Sequence, residues 1–181
     1  MNPMEQGLTT GLPGLDKVLR GVLIGDNIVW RIDTIDEYAE LVAPYCEAAV
    51  RNGRKLIYFR FARHDPLVAE DAGAEIHELD PEGGFESFIA EIHAVIQDAG
   101  PGAFYVFDCL SRLAVDWYSD QMLGNFFMLT CPHLFDMETV AYFALYRNYH
   151  TSLAIDPIQD TTQLFVDVYR HKGGFYVRPI K

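Results

Sequence analysis

The segment NIVWRIDTIDEYAELV, from Asn27 to Val42, predicts a strand, a short turn and the start of a helix. Its first six residues form a mostly apolar, continuous run that is typical of a strand covered on both faces. A short turn and a segment of helical composition follow. In many α/β proteins this joint is rich in glycine and binds phosphate. Here it has no glycine and no lysine, and it carries three acidic residues, Asp33, Asp36 and Glu37.

The residues of the turn predict how the helix begins. Thr34 and Glu37 have the S/T-x-x-E spacing of a capping box, with Thr34 as N-cap and Glu37 at the third helical position. A helix N-terminus binds phosphate because its first N–H groups lack partners and its dipole end is positive. In this sequence the helix supplies its own oxygen atoms and negative charge to that end. We therefore predict a turn that is ordered without a ligand.

The rest of the chain alternates between predicted strands and helices. Helical composition or periodicity marks DEYAELVAPYCEAAVRNG, FESFIAEIHAVIQDAG and SDQMLGNFFMLT. Further strands are predicted at KLIYFRF (55–61), EIHEL (75–79), AFYVFD (103–108) and TVAYFALYR (139–147), and a closing hairpin around Gly173-Gly174. This alternation predicts an α/β fold with a mostly parallel sheet, helices on both faces and a C-terminal β-hairpin at one edge. No linker composition interrupts the chain, so we expect one domain over residues 1–181.

Composition limits the classes of partner. The 181 residues hold 14 Lys and Arg against 26 Asp and Glu, which gives a net charge of −12. Nucleic acids and anionic membranes attract proteins through a basic field, so we expect neither as a partner. The N-terminus lacks the features of a signal peptide, and no apolar run reaches membrane-spanning length. The three cysteines, Cys46, Cys109 and Cys131, lie far apart, as expected of reduced thiols in a cytoplasmic protein.

Several segments together resemble a known superfamily. TTGLPGLDKVLRG with GDNIVW (9–30), GRKLIYFRF (53–61), AFYVFDCLS (103–111) and the closing hairpin are similar, in order and spacing, to the RecA/KaiC-like P-loop ATPases. The resemblance implies a RecA-like doubly wound sheet. The chain also resembles the KaiC-like N-terminal module of proteins related to pyruvate phosphate dikinase and phosphoenolpyruvate synthase, which implies a pyruvate or phosphoenolpyruvate phosphotransferase-type enzyme as its context.

The departures from that family remove its chemistry. Counted back without gaps from Gly53, the phosphate loop falls on Ile32, Asp33, Thr34, Ile35, Asp36, Glu37, Tyr38 and Ala39. The two glycines, the lysine and the hydroxyl that hold phosphates and Mg²⁺ are replaced by Ile32, Glu37, Tyr38 and Ala39. The acidic residue that would polarise water near Ala62 is also missing. We therefore expect no ATP or Mg²⁺ cofactor and no hydrolysis.

One family position survives and has two interpretations. Asp108 ends a predicted buried strand at the Walker B-like position. It is either a Mg²⁺ ligand or a hydrogen-bonded aspartate inherited with the fold, and the lost phosphate loop favours the second. Cys131, His133 and Asp136 suggest a metal site, but a helix end that contains a buried thiol fits them better. No serine lies in a G-x-S-x-G motif, so nucleophilic catalysis has no support in the sequence.

Basic residues follow several predicted strands. They are Arg60, Arg63, His64, Arg112, Arg147 and His150. Doubly wound sheets bind ligands at this carboxyl edge, so the residues form either an anion-binding pocket or salt bridges to nearby carboxylates.

The sequence retains the features of the RecA/KaiC-like fold but lacks the residues that bind and hydrolyse ATP. This combination favours a role in contacts with other proteins or domains. We expect a non-hydrolysing pseudo-ATPase with a regulatory, docking or scaffold role. The alternative is a sensor of a nucleotide or phosphorylated metabolite, and the third hypothesis is an enzyme with an atypical phosphate site. Phe126 and Phe127 point about 100° apart on an uncharged predicted helix. We therefore expect at least one of them to face a second domain or a second copy of the chain.

Overall fold

A computed structural model describes residues 8–181 of the chain. The strands are β1 (Asn27–Ile32), β2 (Leu56–Arg60), β3 (Glu75–Glu78), β4 (Phe104–Cys109), β5 (Val140–Tyr146), β6 (Leu164–His171) and β7 (Gly174–Pro179). The α-helices are α1 (Pro13–Leu19), α2 (Ile35–Arg51), α3 (Phe85–Ala99), α4 (Ser111–Asp116), α5 (Asp120–Asp136) and α6 (Ser152–Thr161). A short 3₁₀ helix at Pro81–Gly83 precedes α3.

The strands form one seven-stranded sheet in the order β3-β2-β4-β5-β1-β6-β7. All neighbouring pairs are parallel except β6 and β7, which form an antiparallel hairpin at one edge. The predicted mostly parallel α/β architecture with a C-terminal hairpin is therefore confirmed. The helices α1, α4 and α6 were not predicted, because elements of 7, 6 and 10 residues are too short for periodicity to show clearly.

Alternate residues of the strands supply two separate cores. Trp30 of β1 packs into a core with α2, and the preceding Val29 packs into the opposite core with α3, α5 and α6. Both faces of the central strands are thus buried, which explains their continuous apolar sequences. The parallel arrangement also places the carboxyl ends of six strands along one edge of the sheet, where α/β proteins build their sites.

The segment before β1 is held by one aspartate. The Asp16 carboxylate of α1 accepts hydrogen bonds from the Thr9 hydroxyl and from the backbone N–H (2.8 Å) and hydroxyl (2.6 Å) of Thr10. Gly11 then passes so close to α2 that an added Cβ would lie 2.0 Å from the Pro44 carbonyl oxygen. The T-T-G-L-P-G-L-D sequence therefore has a structural role: it fastens the N-terminal segment against α2.

The closing hairpin turns one residue earlier than its glycine pair suggests. His171 pairs with Gly174, so the two turn residues are Lys172 and Gly173. Both have positive φ, 48° and 77°, as a type I′ turn requires. The second glycine of the pair belongs to β7 and not to the turn.

The expectation that Phe126 or Phe127 faces a second surface was wrong. Both side chains are fully buried. Phe127 packs on Phe143 of the sheet with ring centres 5.0 Å apart, and Phe126 packs on Phe88 of α3 at 5.8 Å. The two rings do point in different directions, but α3 provides the second surface within the same chain.

Candidate functional site

The joint between β1 and α2 has no room for a phosphate loop. The strand ends at Ile32 and the helix begins at Ile35, so only Asp33 and Thr34 form the turn. Thr34 has the extended backbone of an N-cap (φ −135°, ψ 154°), and it forms a capping box with Glu37. Of the eight positions at which the resemblance places a phosphate loop (32–39), the last five lie within α2. A phosphate loop needs several successive backbone N–H groups around an open concavity, and a turn of two residues is too short to form one.

Glu37 supplies negative charge to the start of α2. Its side chain is buried, and one carboxylate oxygen accepts hydrogen bonds from the backbone N–H groups of Asp33 (2.7 Å) and Thr34 (3.3 Å). A phosphate at a helix N-terminus uses donors of this kind. The carboxylate thus takes up donors that an anion would need, and its charge repels an anion.

Tyr38 lies at the position where the resemblance to P-loop ATPases would place a phosphate-binding lysine. The side chain is fully buried in the core between α2 and the sheet. Its hydroxyl donates a hydrogen bond of 2.9 Å to the backbone oxygen of Phe107 in β4. Burial, reinforced by the negative charge of Asp108, raises the pKa of Tyr38 well above its ordinary value. A neutral aromatic ring therefore lies where the resemblance would place the lysine, and its hydroxyl links α2 to β4.

An ion-pair network joins the turn to the neighbouring strands. Arg147, just after β5, contacts Asp33 at 2.8 Å and Asp167 of β6 at 3.0 Å. Arg31 of β1 contacts the same Asp167 carboxylate at 2.5 Å. Burial alone would raise the pKa of Asp167, but the hydrogen bonds and charges of the arginines outweigh it and lower that pKa. Arg147 therefore fixes the turn and does not face a cleft as a free cation.

Asp108 is enclosed by donors. One carboxylate oxygen accepts from the hydroxyl of Tyr58 at 2.5 Å, and the other accepts from the N–H groups of Phe61 and Ala62, both at 2.8 Å. The side chain is fully buried. Burial raises the pKa of Asp108, and these hydrogen bonds oppose the rise only in part. The carboxylate thus joins β4 to the loop after β2 and leaves no oxygen directed at solvent for a metal ion.

The sheet edge brings together only some of the predicted basic residues. A pocket of about 260 Å³, named here the strand-end pocket, lies at the ends of β2, β4 and β5. Its walls are formed by Ala62, Arg63, His64, Cys109, Ser111, Arg112, Val115, Tyr146 and Tyr149. Arg63, His64 and Arg112 therefore converge as predicted, whereas Arg60 and Arg147 lie outside the pocket walls.

Each of the predicted arginines also has a carboxylate partner. Arg112 pairs with Asp116 one helical turn later at 2.5 Å, and Arg60 pairs with Glu78 at 3.0 Å. Arg63 and Glu82 meet at 3.3 Å, but both side chains are exposed, so this pair is weak. Arg63 is therefore the pocket cation that is most easily released for a ligand.

A hydrogen-bonded chain of three side chains begins in the pocket wall. The Ser111 Oγ lies 2.7 Å from Nε2 of His150, and Nδ1 of His150 lies 2.7 Å from the Asp120 carboxylate. Burial works against ionisation of Asp120, but hydrogen bonds from Thr151 and His150 outweigh it and lower the pKa. His150 was predicted at this edge as a basic residue, but its partners were not, because Ser111 and Asp120 come from the starts of α4 and α5, distant in sequence.

Comparison with known proteins assigns no family. Neither the models of known protein families nor the curated proteins include a match to this sequence. Among residues 8–181, no three His, Cys, Asp or Glu side chains are grouped so that they could hold a metal ion. Cys131 of the predicted helix end is buried within α5. In the same described range, no helix is both long and apolar enough to cross a membrane.

Proposed function

We propose that this chain is a RecA-like pseudo-ATPase domain that does not hydrolyse ATP and acts by docking onto another domain or protein. The observation that carries the proposal is the occupied phosphate position. The Glu37 carboxylate takes donors at the start of α2, and Tyr38 fills the place of the lysine. Phosphoryl transfer depends on positioning and on electrostatic stabilisation of the phosphates, and neither can operate at a closed, acidic joint.

The resemblance of the sequence gives the proposed context. A KaiC-like module attached to a pyruvate or phosphoenolpyruvate phosphotransferase-type enzyme would have no need of its own hydrolysis. Its role would be to regulate or position the catalytic domain. The parallel sheet, the helices on both faces and the edge hairpin are compatible with this proposal.

Exposed apolar side chains suggest where docking occurs. Val115 and Tyr149 belong to the strand-end pocket and are substantially exposed, and Tyr118 is 95% exposed. Leu153, at the start of α6, is also exposed. Hydrogen bonds from Thr151 to Asp120, 2.7 and 2.8 Å long, hold the segments of Tyr118 and Leu153 together. An exposed apolar group of this kind is typical of a contact surface, and it replaces the surface expected at Phe126 and Phe127.

The proposal predicts no ATP turnover. Purified protein incubated with Mg·ATP should release phosphate no faster than its Asp108→Ala variant, because the groups that accelerate the reaction are missing. The rate of phosphate release is measured with a sensitive assay, at a protein concentration far above that of any contaminating ATPase. Magnesium-dependent release that Asp108→Ala abolishes would contradict the proposal.

A second candidate function rests on the strand-end pocket. Three basic side chains, Arg63, His64 and Arg112, contribute to its walls, although the protein as a whole is strongly acidic. We propose as the alternative that the pocket binds a nucleotide or a phosphorylated metabolite and that the domain is a sensor. The two candidates differ in whether an added nucleotide contacts the strand-end pocket: the sensor predicts that it does, and the docking domain predicts that it does not.

A further inference from the structure

We propose that Ser111 is the nucleophile of an acyl-transfer site in the strand-end pocket, with His150 as its general base and Asp120 as the residue that orients the base. The proposal rests on how these three side chains are hydrogen-bonded and on where Ser111 lies. It concerns a reaction other than ATP hydrolysis and does not depend on the pseudo-ATPase proposal.

The chemistry of the three groups fixes the direction of the hydrogen bonds. The Asp120 carboxylate accepts from the N–H and the hydroxyl of Thr151, and as an ionised group it can only accept. Nδ1 of His150 must therefore carry the proton in their 2.7 Å contact. In the neutral imidazole Nε2 is then an acceptor, so the Ser111 hydroxyl donates to it over 2.7 Å. This is the proton arrangement of an activated serine.

The backbone holds the serine in place. The N–H of Tyr146 donates to the Ser111 Oγ at 2.9 Å, which orients the oxygen while its own proton points to His150. Ser111 is itself only 2% exposed, and it meets the pocket as part of its wall. The His150 side chain is fully buried, so water does not compete for its hydrogen bonds.

The pocket has room for a small acyl group. Its volume is about 260 Å³, and Ser111 is part of its wall. The basic side chains of the same wall favour an acyl donor that carries a negative charge, such as an ester or thioester of a small dicarboxylic acid. Arg63, held only by the exposed Glu82, is the cation that can turn towards the oxyanion.

The reaction is balanced with water as the only co-reactant. The Ser111 oxygen forms a bond to the acyl carbon while its proton passes to Nε2 of His150, and Asp120 stabilises the resulting imidazolium. The bond from the acyl carbon to the leaving alkoxide or thiolate breaks, and the leaving group takes the proton from His150. A water molecule then takes the place of the departed leaving group beside Nε2 of His150. His150 accepts a proton from this water as the water oxygen attacks the acyl carbon, the bond from that carbon to Ser111 Oγ breaks, and the proton on His150 returns to Oγ as the carboxylic acid leaves.

A small organophosphorus reagent tests the nucleophile directly. Diisopropyl fluorophosphate forms a phosphorus–oxygen bond to an activated serine with loss of fluoride. We expect one adduct per chain at Ser111, located by intact mass and peptide mapping. Ser111→Ala should remove the adduct, and Asp120→Asn should slow its formation at least tenfold because the base loses its orientation.

Internal controls separate activation from folding. Ser87 is an exposed serine whose hydroxyl contacts only backbone oxygens, and it should remain unmodified in the same sample. Circular dichroism and the thermal midpoint show whether each variant is folded. The peptide map of the labelled wild type identifies the modified serine even if a variant does not fold. An unmodified wild type, in a sample where an added serine esterase is fully inactivated, would overturn the proposal. So would equal labelling rates for folded Asp120→Asn and the wild type.

Discussion

Replacing Asp167 by alanine is expected to cost about 3 kcal/mol of the free energy of unfolding. The Asp167 carboxylate forms ion pairs with Arg31 (2.5 Å) and Arg147 (3.0 Å), and the Asp167 side chain is only 6% exposed. Without it, the largely buried guanidinium of Arg31 loses this carboxylate, and Arg147 keeps only the more exposed Asp33 as an ion-pair partner. Removal of one partner from a buried pair typically costs about 3–5 kcal/mol. The lower end applies here because both arginines keep some contact with water. Chemical denaturation measures the change.

Two comparisons show whether the cost comes from the buried charge. Glu82→Ala removes the partner of the exposed Arg63 and should change stability by less than about 0.5 kcal/mol. The pKa of Asp167 is lowered by folding, so its charge stabilises the protein fully above the ordinary value of 3.8. That contribution is lost as the pH falls through the lowered value. The difference in unfolding free energy between the wild type and Asp167→Asn should therefore become smaller below about pH 4. A difference that does not change with pH would contradict the ionic explanation.

Tyr38→Ala is expected to be at least as damaging, with a loss of about 3–5 kcal/mol, because it empties a fully buried aromatic site. Tyr38→Phe keeps the ring but leaves the Phe107 oxygen without its hydroxyl donor, which should cost about 1–3 kcal/mol. Tyr118→Ala is the matched control. That side chain is 95% exposed, and its removal should leave the thermal midpoint almost unchanged.

The order of these three variants tests the role assigned to the ring. If Tyr38→Ala is as stable as the wild type, the tyrosine does not fill the lysine position as a structural anchor. The space it occupies would then be free for another group, and the account of a closed phosphate position would fail.

The predictable parts of the fold are those that local sequence determines. Continuous apolar runs such as 27–32 and 103–108 gave the buried strands, and the periodicity of 85–99 gave α3. The start of α2 after Thr34 also followed from local chemistry, because a capping box lies within four residues. The short helices α4 and α6 lack such signals.

The parts that could not be predicted depend on tertiary neighbours. The periodicity of α5 does not show that α3 covers Phe126, so at least one of Phe126 and Phe127 was wrongly expected to face a second domain or copy. Arg147 finds its buried carboxylate partner, Asp167, in another element, β6. Arg112 is different, because its partner Asp116 lies one turn later in the same helix. Ser111 and His150 are 39 residues apart, and only the sheet edge brings them together.

The pseudo-ATPase proposal depends most on the closure of the α2 N-terminus to phosphate by the protein's own side chains. Its most direct test is a titration of ¹⁵N-labelled protein with Mg·ATP, followed through the backbone amide signals. We predict that the amides of Thr34, Ile35, Asp36 and Glu37 keep their positions up to millimolar nucleotide. Shifts confined to the strand-end pocket would favour the sensor and leave the closed joint intact. Saturable shifts at these four amides would show that phosphate reaches the start of α2 and would contradict the proposed closure.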